Sequence, residues 1–415
     1  MGKSSLRHIR ILLGSATIKD VIITTSGNTI VILSGMLFTV LVARGLAPER
    51  FGILSVILSL ASLLGLIGDL GTGVTITSFL PKFLNDKKSL MTTTFLLQLA
   101  IGVVAGVFAI VWHPSGIVPI SIVLTGGLTI TLVLSNYVNS WLRAERKFLQ
   151  ILGLLLLESV TKLTIVGWLW LNNLLLIRTV LAALVFSSIV ASGSWLFGHR
   201  HHLTGKIDWK IWQHLWPFGK WMALSHLCAI AIGRVDSLLL IGLSSGFEAG
   251  IYAAAGRVAM VFTLLMSSFG SVSAPKFASF TTNKQITDYL LKLAGLVVLM
   301  IFGMAAVVII APWIVPFVFG ESYRPAIFIL QLLLVGMIPQ VLTILTVNPL
   351  IYVFKRSDLM AKTTFTQLII LLCLEIWLMP TLGAKAIGIA WGISNSLVLF
   401  VTGYYLFRVL RYEST

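Results

Sequence analysis

The chain contains 415 residues, of which 57% are hydrophobic and 11% are charged. An ordinary soluble domain has about a quarter of its residues charged, so this composition excludes a soluble enzyme or binding module. The formal net charge of +16 would indicate nucleic acid binding in a soluble protein, but in a membrane protein its meaning depends on where each Lys and Arg lies relative to the spans.

Apolar runs bounded by charge, proline or glycine predict an all-α integral membrane protein with twelve transmembrane helices. The spans predicted for the first half are 21–43, 51–79, 92–112, 117–141, 148–171 and 175–197. Those predicted for the second half are 213–243, 250–274, 289–313, 325–350, 364–380 and 384–408. This order predicts a six-helix lobe in residues 1–198, a cytoplasmic loop in 199–212, and a second six-helix lobe in 213–415.

Lys and Arg are distributed unevenly between the two sides that these spans define. The N-terminus, the even-numbered connections and the C-terminus carry most of them, and the opposite side holds Arg44, Arg50, Arg178, Arg324 and Lys385. Because positive charge is retained on the cytoplasmic side over short loops, we expect both termini in the cytoplasm.

The predicted loop between the lobes contains His199, His201 and His202 beside Arg200 and Lys206. Clustered histidines can bind a metal ion, but a basic interfacial loop facing anionic lipid explains the same residues more simply. We therefore predict no metal site.

An internal repeat joins the two halves. Gly45-Leu46 followed by Glu49 and Gly52-Ile53 opens the second predicted span, and Gly242-Leu243 followed by Glu248 and Gly250-Ile251 opens the eighth. Pro-Lys-Phe closes both spans, at residues 81–83 and 275–277. Because each repeat has an even number of spans, six, both repeats begin on the same side of the membrane and are parallel. In transporters built in this way the substrate path lies between the repeats.

Ionisable residues within the spans are costly, and those that occur usually face a bundle interior or a wet cavity. Glu158 and Lys162 are four residues apart, a spacing that allows an ion pair on one helix face; such a pair fixes packing or lines a path. Lys220 and Arg234 share one face of the seventh predicted span.

Three carboxylates have less obvious partners. Asp236 lies on the other side of its helix from Lys220 and Arg234, so we expect it to pair with a basic residue on a neighbouring helix, for which Arg257 is a candidate. Asp69 lies in a glycine-interrupted span that can bend and expose backbone groups. Glu375 has no partner in its own helix.

Interspersed Arg and Lys at membrane depth suit a ligand that carries phosphate or carboxylate. The sequence contains no Gly-x-x-x-x-Gly-Lys-Ser/Thr phosphate loop, no Gly-x-Ser-x-Gly and no His-Glu-x-x-His. The outer connections are too short for a catalytic domain. These patterns favour a transporter over an enzyme, with a scaffolding membrane protein as a further alternative.

Several motifs resemble those of bacterial polysaccharide flippases, the Wzx-type O-antigen and exopolysaccharide translocases. They are Leu41-Val-Ala-Arg-Gly-Leu-Ala-Pro48-Glu-Arg-Phe-Gly-Ile-Leu54, Leu66-Ile-Gly-Asp-Leu-Gly71, Trp141-Leu-Arg-Ala-Glu-Arg-Lys-Phe148, and Arg234-Val-Asp-Ser-Leu-Leu-Leu-Ile-Gly242 running into Ala249-Gly-Ile-Tyr252. The similarity extends over all twelve predicted helices.

The resemblance implies two lobes around a central cavity and a cargo of undecaprenyl-pyrophosphate-linked oligosaccharide repeat units. Such flippases move these units from the cytoplasmic to the periplasmic leaflet of the bacterial inner membrane by alternating access, commonly with an H⁺ or Na⁺ gradient and no other cofactor. Their partners are membrane lipids and possible polymerase and chain-length machinery, with no nucleic acid. A cation-coupled multidrug exporter of the related superfamily branch is the alternative.

The resemblance also implies roles for individual residues. The pyrophosphate would be held by Arg234, Arg257, Lys220 and Lys162. Hydrogen bonds to sugar would come from Asn28, Asn136 and Asn139, and aromatic stacking from Tyr137 and Trp141, although aromatic residues more often occupy membrane interfaces. The carboxylates Asp69, Glu158 and Asp236 are candidates for ion coupling or charge pairing, with Asp69 as the main candidate for protonation.

Overall fold

A computed structural model of the chain describes residues 16–67, 76, 86–111, 119–205, 207–208, 233–278, 280, 282–354 and 356–412. All regular structure in these residues is helical. In the first half the helices are α1 (Ala16–Ile67), α2 (Lys87–Val111), α3 (Pro119–Ala144), α4 (Phe148–Leu171) and α5 (Ile177–Gly198). In the second half they are α6 (233–243), α7 (Gly246–Ala278), α8 (Asn283–Phe319), α9 (Ala326–Leu342), α10 (Ile344–Tyr352), α11 (Ser357–Leu382) and α12 (Lys385–Tyr412).

Within the described residues, ten helical stretches are long and apolar enough to cross a membrane, so the chain is a multi-pass membrane protein. The predicted spans 21–43 and 51–79 share one such stretch, Thr29–Ile67. The predicted span 213–243 is described from residue 233 onward. The number twelve therefore stays a prediction.

Helix α1 breaks where the sequence predicts the end of one span and the start of the next. Ala47 has φ 62° and ψ 163°, which is not a helical conformation. The following residue, Pro48, explains the break, because its ring disfavours the helical region for the residue before it and it has no N–H to donate.

Contacts within the chain define two compact units. One comprises Met1–Leu46 and Val56–Val235, and the other comprises Ala47–Ser55 and Asp236–Thr415. The short segment after the break in α1 thus belongs to the second unit. The division into lobes at 1–198 and 213–415 stays a prediction.

The core of the first unit contains the aromatic side chains of Tyr137 and Trp141, which are 0% and 1% exposed. The Tyr137 hydroxyl donates to the Met91 carbonyl at 2.9 Å, and the Trp141 indole N–H donates to Glu145 Oε1 at 3.0 Å. Neither ring can stack on a sugar from this position. Both act instead in packing α3 against its neighbours.

Glycine contacts set the closest helix packing in the second unit. A Cβ on Gly336 of α9 would lie 2.5 Å from the Gly388 carbonyl oxygen of α12. A Cβ on Gly52 would overlap the backbone of Gly246, and one on Gly250 would overlap the Pro48 carbonyl. Small residues allow backbones in membrane proteins to approach this closely. Gly52 and Gly250 are equivalent positions of the predicted repeat.

Glu145 connects three helices at the junction between α3 and α4. Its carboxylate lies 2.5 Å from the Lys87 ammonium at the start of α2 and 2.6 Å from that of Lys147. Burial acts to raise the pKa of Glu145, but the hydrogen bonds and charges of Lys147 and Lys87 outweigh it and hold the pKa below its ordinary value.

We expect Glu145→Gln to lower the free energy of unfolding by about 1 kcal/mol at neutral pH. Glutamine still accepts from Trp141, so the loss reports on the charge. Because the folded pKa is depressed, the stabilisation is complete above the ordinary pKa of Glu and is lost as pH falls through the folded value. Thermal unfolding in detergent should therefore separate wild type from variant at pH 7 and not in acid. Glu321→Gln, which removes an exposed partner of Arg324, should change little at either pH.

Candidate functional site

Asp236 is buried in the second unit, with 2% of its surface exposed. It lies in α6, and its Oδ2 accepts hydrogen bonds from the Tyr252 hydroxyl of α7 at 2.8 Å and from the Trp391 indole N–H of α12 at 3.3 Å. Its Oδ1 is equally enclosed, yet no donor in the described part of the chain reaches it. One half of the carboxylate is therefore satisfied and the other half is open.

Glu375 of α11 interacts with Asp236 and completes a pair of buried carboxyls. Its side chain is fully enclosed, at 0% exposure. Neither Oε1 nor Oε2 has a hydrogen-bond donor among the residues that the structure describes. We call Asp236 and Glu375, with the donors Tyr252 and Trp391, the acidic site; it draws one residue from each of α6, α7, α11 and α12.

The acidic site is electrostatically unusual. Two negative charges side by side in an apolar interior repel each other and lack solvation. Within 233–278, 282–354 and 356–412, neither carboxylate forms an ion pair with Lys, Arg or His. The arrangement can therefore hold a positive ion that neutralises the pair.

The partner predicted for Asp236 was wrong. Arg257 lies half-buried on α7, and its Nη1 approaches the Met260 sulfur at 4.0 Å; Asp236 receives a hydroxyl and an indole instead. Arg234, two residues before Asp236, is exposed. The sequence did mark Glu375 as a membrane carboxylate without a local partner, and the structure shows that its neighbour is Asp236.

Glu158 and Lys162 do not form the ion pair that their spacing allows. The Glu158 carboxylate accepts a hydrogen bond from the Ser188 hydroxyl of α5 at 2.9 Å. The Lys162 ammonium lies 5.5 Å from the centre of the Phe38 ring of α1, a cation–π contact. Each side chain thus ties α4 to a different helix of the first unit.

The other candidates lie apart from the acidic site or outside the described residues. Asp69 and Lys220 are outside them, and Asn28 lies in α1 with its side chain undescribed. Asn136 Nδ2 donates to the Gly65 carbonyl at 3.5 Å. Asn139 has a buried Oδ1 that no described residue reaches with a donor, so its assignment to sugar binding stays a prediction.

His199, the first of the predicted loop histidines, packs against α5. Its ring stacks on Trp195 with 4.3 Å between ring centres, and Nδ1 lies 2.9 Å from the Trp195 carbonyl oxygen. In the part of the chain that the structure describes, no three His, Cys, Asp or Glu side chains come together as metal ligands. The acidic site, with two carboxyls, falls short of such a set.

Comparison with solved structures identifies the fold. The chain superposes on an inward-facing multidrug resistance transporter of the MATE family in the MOP superfamily with a TM-score of 0.70 and 16% identity, covering 94% of this chain and 98% of that one. It superposes on the lipid II flippase MurJ in an inward closed conformation with a TM-score of 0.70 and 14% identity, covering 93% and 87%. A MOP superfamily transporter from Pyrococcus furiosus gives a TM-score of 0.55 at 15% identity, covering 95% of each chain.

No curated protein matches the sequence closely enough to count as a relative. A family model does match, over residues 41–328, which is well over half of the chain. That stretch includes the break in α1, the Trp141–Phe148 motif and Asp236. The chain therefore belongs to the polysaccharide biosynthesis protein family.

Proposed function

We propose that the protein is a flippase that moves undecaprenyl-pyrophosphate-linked oligosaccharide repeat units from the cytoplasmic to the periplasmic leaflet by alternating access. The observation that carries this proposal is the polysaccharide biosynthesis family match over residues 41–328 in a chain made of membrane-spanning helices. Because the described residues of the chain are mainly membrane-spanning helices, a lipid-soluble intermediate is the kind of substrate that such a biosynthesis protein would meet. The repeat unit on its polyprenyl carrier is such an intermediate, and it would supply O-antigen or exopolysaccharide synthesis.

The fold supports a translocating role rather than a catalytic one. One similar structure is named as a lipid II flippase, so this architecture accommodates a large lipid-linked molecule. We place the protein in the bacterial inner membrane with both termini in the cytoplasm, as the distribution of Lys and Arg predicts. Membrane lipids are its immediate partners, and polymerase and chain-length proteins are the expected partners in the pathway.

A second candidate function is the export of organic cations by ion exchange, since another similar structure is a multidrug resistance transporter. The exposed Arg234 and the half-buried Arg257 favour an anionic cargo instead. Both candidates predict transport, and they differ in the charge of what is carried.

Deleting the gene in its own host tests the cargo. In a strain without a paralogue, we expect polyprenyl-linked repeat units to accumulate on the cytoplasmic face and surface polysaccharide to disappear, with both effects reversed by a plasmid copy. Unchanged surface polysaccharide in such a strain would contradict the proposal.

Substitution of the two arginines tests the anion site. A charge-assisted hydrogen bond contributes about 1.5 to 3 kcal/mol, so we expect Arg234→Ala and Arg257→Ala each to reduce flipping about tenfold to a hundredfold while the protein still inserts. Arg356→Ala is the matched control, because Arg356 lies outside the spans and pairs with Asp358. Full activity in both the Arg234 and the Arg257 variant would place the pyrophosphate contacts elsewhere.

A further inference from the structure

We propose that a cleft at the C-terminal end of α8 binds a phospholipid whose head group carries both a phosphate and a primary ammonium group. The cleft has a volume of about 740 Å³. It is lined by Trp313, Pro316 and Phe317 of α8 and by Glu321 and Arg324 of the turn that follows. All of these residues belong to the second unit. The existence of this site is independent of the proposed cargo.

Two prolines explain why α8 leaves room for a cleft here. Pro312 and Pro316 lie inside the helix, four residues apart and therefore on one face. A proline has no N–H for the carbonyl four residues earlier, and its ring presses against that carbonyl. Because Pro312 cannot donate to the Val308 carbonyl, Gln331 Nε2 of α9 does so at 3.0 Å. Both prolines line the cleft, so the disturbed helix face opens beside Trp313.

The cleft lies at the depth where the head groups of a bilayer begin. The sequence predicts a span over 289–313, so Trp313 marks its end and Phe317 lies about one turn, or 5.4 Å, farther out. Each head-group layer is about 5 to 8 Å thick. The two side chains are 68% and 81% exposed, and Trp is enriched at this boundary between acyl chains and head groups. The distribution of Lys and Arg predicts that this is the outer leaflet.

The turn after α8 holds the two charged side chains of the cleft in place. Between Glu321 and Arg324 lies Tyr323, which is 0% exposed. The Tyr323 ring contacts those of Phe51 and Phe319, with 6.1 and 5.8 Å between ring centres. A turn anchored in this way presents its charges to a ligand without the entropic cost of ordering a mobile loop.

Glu321 and Arg324 present opposite charges at the edge of the cleft. Arg324 Nε lies 2.7 Å from Glu321 Oε2, and the two side chains are 73% and 72% exposed. This contact uses one nitrogen and one oxygen, so the rest of the guanidinium can bind a phosphate and the second carboxylate oxygen can accept from an ammonium group. A head group with both groups therefore extends the ion pair. A head group with a phosphate alone would be repelled by the Glu321 charge.

Native mass spectrometry of the full-length, delipidated protein in detergent tests the site with two lipids of identical acyl chains, phosphatidylethanolamine and phosphatidylglycerol. Wild type should bind the first molecule of phosphatidylethanolamine about fivefold more tightly, as expected for charge contacts near a surface. Glu321→Gln should lose this preference, because its side chain no longer attracts the ammonium group, and Glu321→Lys should reverse it. Arg324→Gln should weaken the binding of both lipids.

Asp358→Asn is the matched control and should keep the wild-type preference, because Asp358 pairs with Arg356 in another exposed ion pair outside the cleft. Unfolding temperatures in lipid-free detergent verify that every variant is folded. Equal binding of the two lipids by wild type, or an unchanged preference in both Glu321 variants, would overturn the proposal. A dimer in the spectrum that Phe317→Ala dissociates would also overturn it, because the cleft would then be filled by a second copy of the chain. None of these outcomes bears on the proposed cargo.

Discussion

Glu375→Met is expected to raise the thermal stability of the protein while abolishing the proposed transport. The carboxyl is fully buried and its oxygens lack donors among the described residues, so it destabilises the folded state by about 1 to 3 kcal/mol. Methionine has a similar shape, fills the same volume and needs no hydrogen bond. A gain in stability with a loss of function is typical of a site whose strain is kept for activity.

Thermal unfolding in detergent measures the stability, and transport in vesicles with an imposed pH gradient measures the function. Glu158→Met is the matched control, because the Glu158 carboxylate accepts from Ser188 and its removal should lower the unfolding temperature. If Glu375→Met also unfolds at a lower temperature, Glu375 is a structural residue and the acidic site has lost its main support.

Gly250→Ala should be strongly destabilising, although it adds a single methyl group. The new Cβ would overlap the Pro48 carbonyl, and backbone atoms in a packed contact cannot move aside as a flexible side chain can. Overpacking of this kind costs about 1 to 3 kcal/mol, and Gly52→Ala should be similar because its Cβ would overlap Gly246.

Gly256→Ala in the same helix is the control. Apart from the backbone of its own helix and its chain neighbours, no atom lies within 4 Å of its added Cβ, and alanine favours a helix over glycine by about 1 kcal/mol. The yield of monodisperse protein in detergent and its unfolding temperature provide the readout. Equal behaviour of Gly250→Ala and Gly256→Ala would show that the glycine contact does not limit the packing.

The sequence predicted the membrane-spanning helices well because a long run of hydrophobic residues directly indicates a segment that lies in the bilayer. The predicted span 148–171 has the same bounds as α4 (Phe148–Leu171). The sequence analysis did not predict that the span 325–350 divides into α9 and α10 at Thr343. Average hydropathy does not respond to a local change of helix direction, although Pro339 and Pro349 were signals for one.

The candidate site was harder to predict, because it depends on which helices are neighbours. The sequence marked Asp236 and Glu375 separately as costly residues in apolar runs, yet they lie on α6 and α11, and no spacing rule connects residues so far apart. Local rules also misled: the four-residue spacing of Glu158 and Lys162 permits an ion pair, but Ser188 and Phe38 on other helices offer each side chain a different partner.

Glu248 is a residue of the predicted repeat whose role becomes visible in the structure. The sequence singled it out as part of the repeat, with no stated role. The structure places its Oε2 2.8 Å from the Ala384 backbone N–H, at the start of α12, next to Gly383 with φ 57°. Within the second unit, Glu248 thus connects α7 with the start of α12.

The most direct test of the central claim is flipping by the purified protein in sealed liposomes. A polyprenyl-pyrophosphate-linked oligosaccharide from the host is added to the outer leaflet and followed by its loss of access to an added lectin. The proposed function predicts rapid loss of access with wild type and slow loss with empty liposomes or with Arg257→Ala. Movement no faster than in empty liposomes, together with gradient-driven export of organic cations, would contradict it.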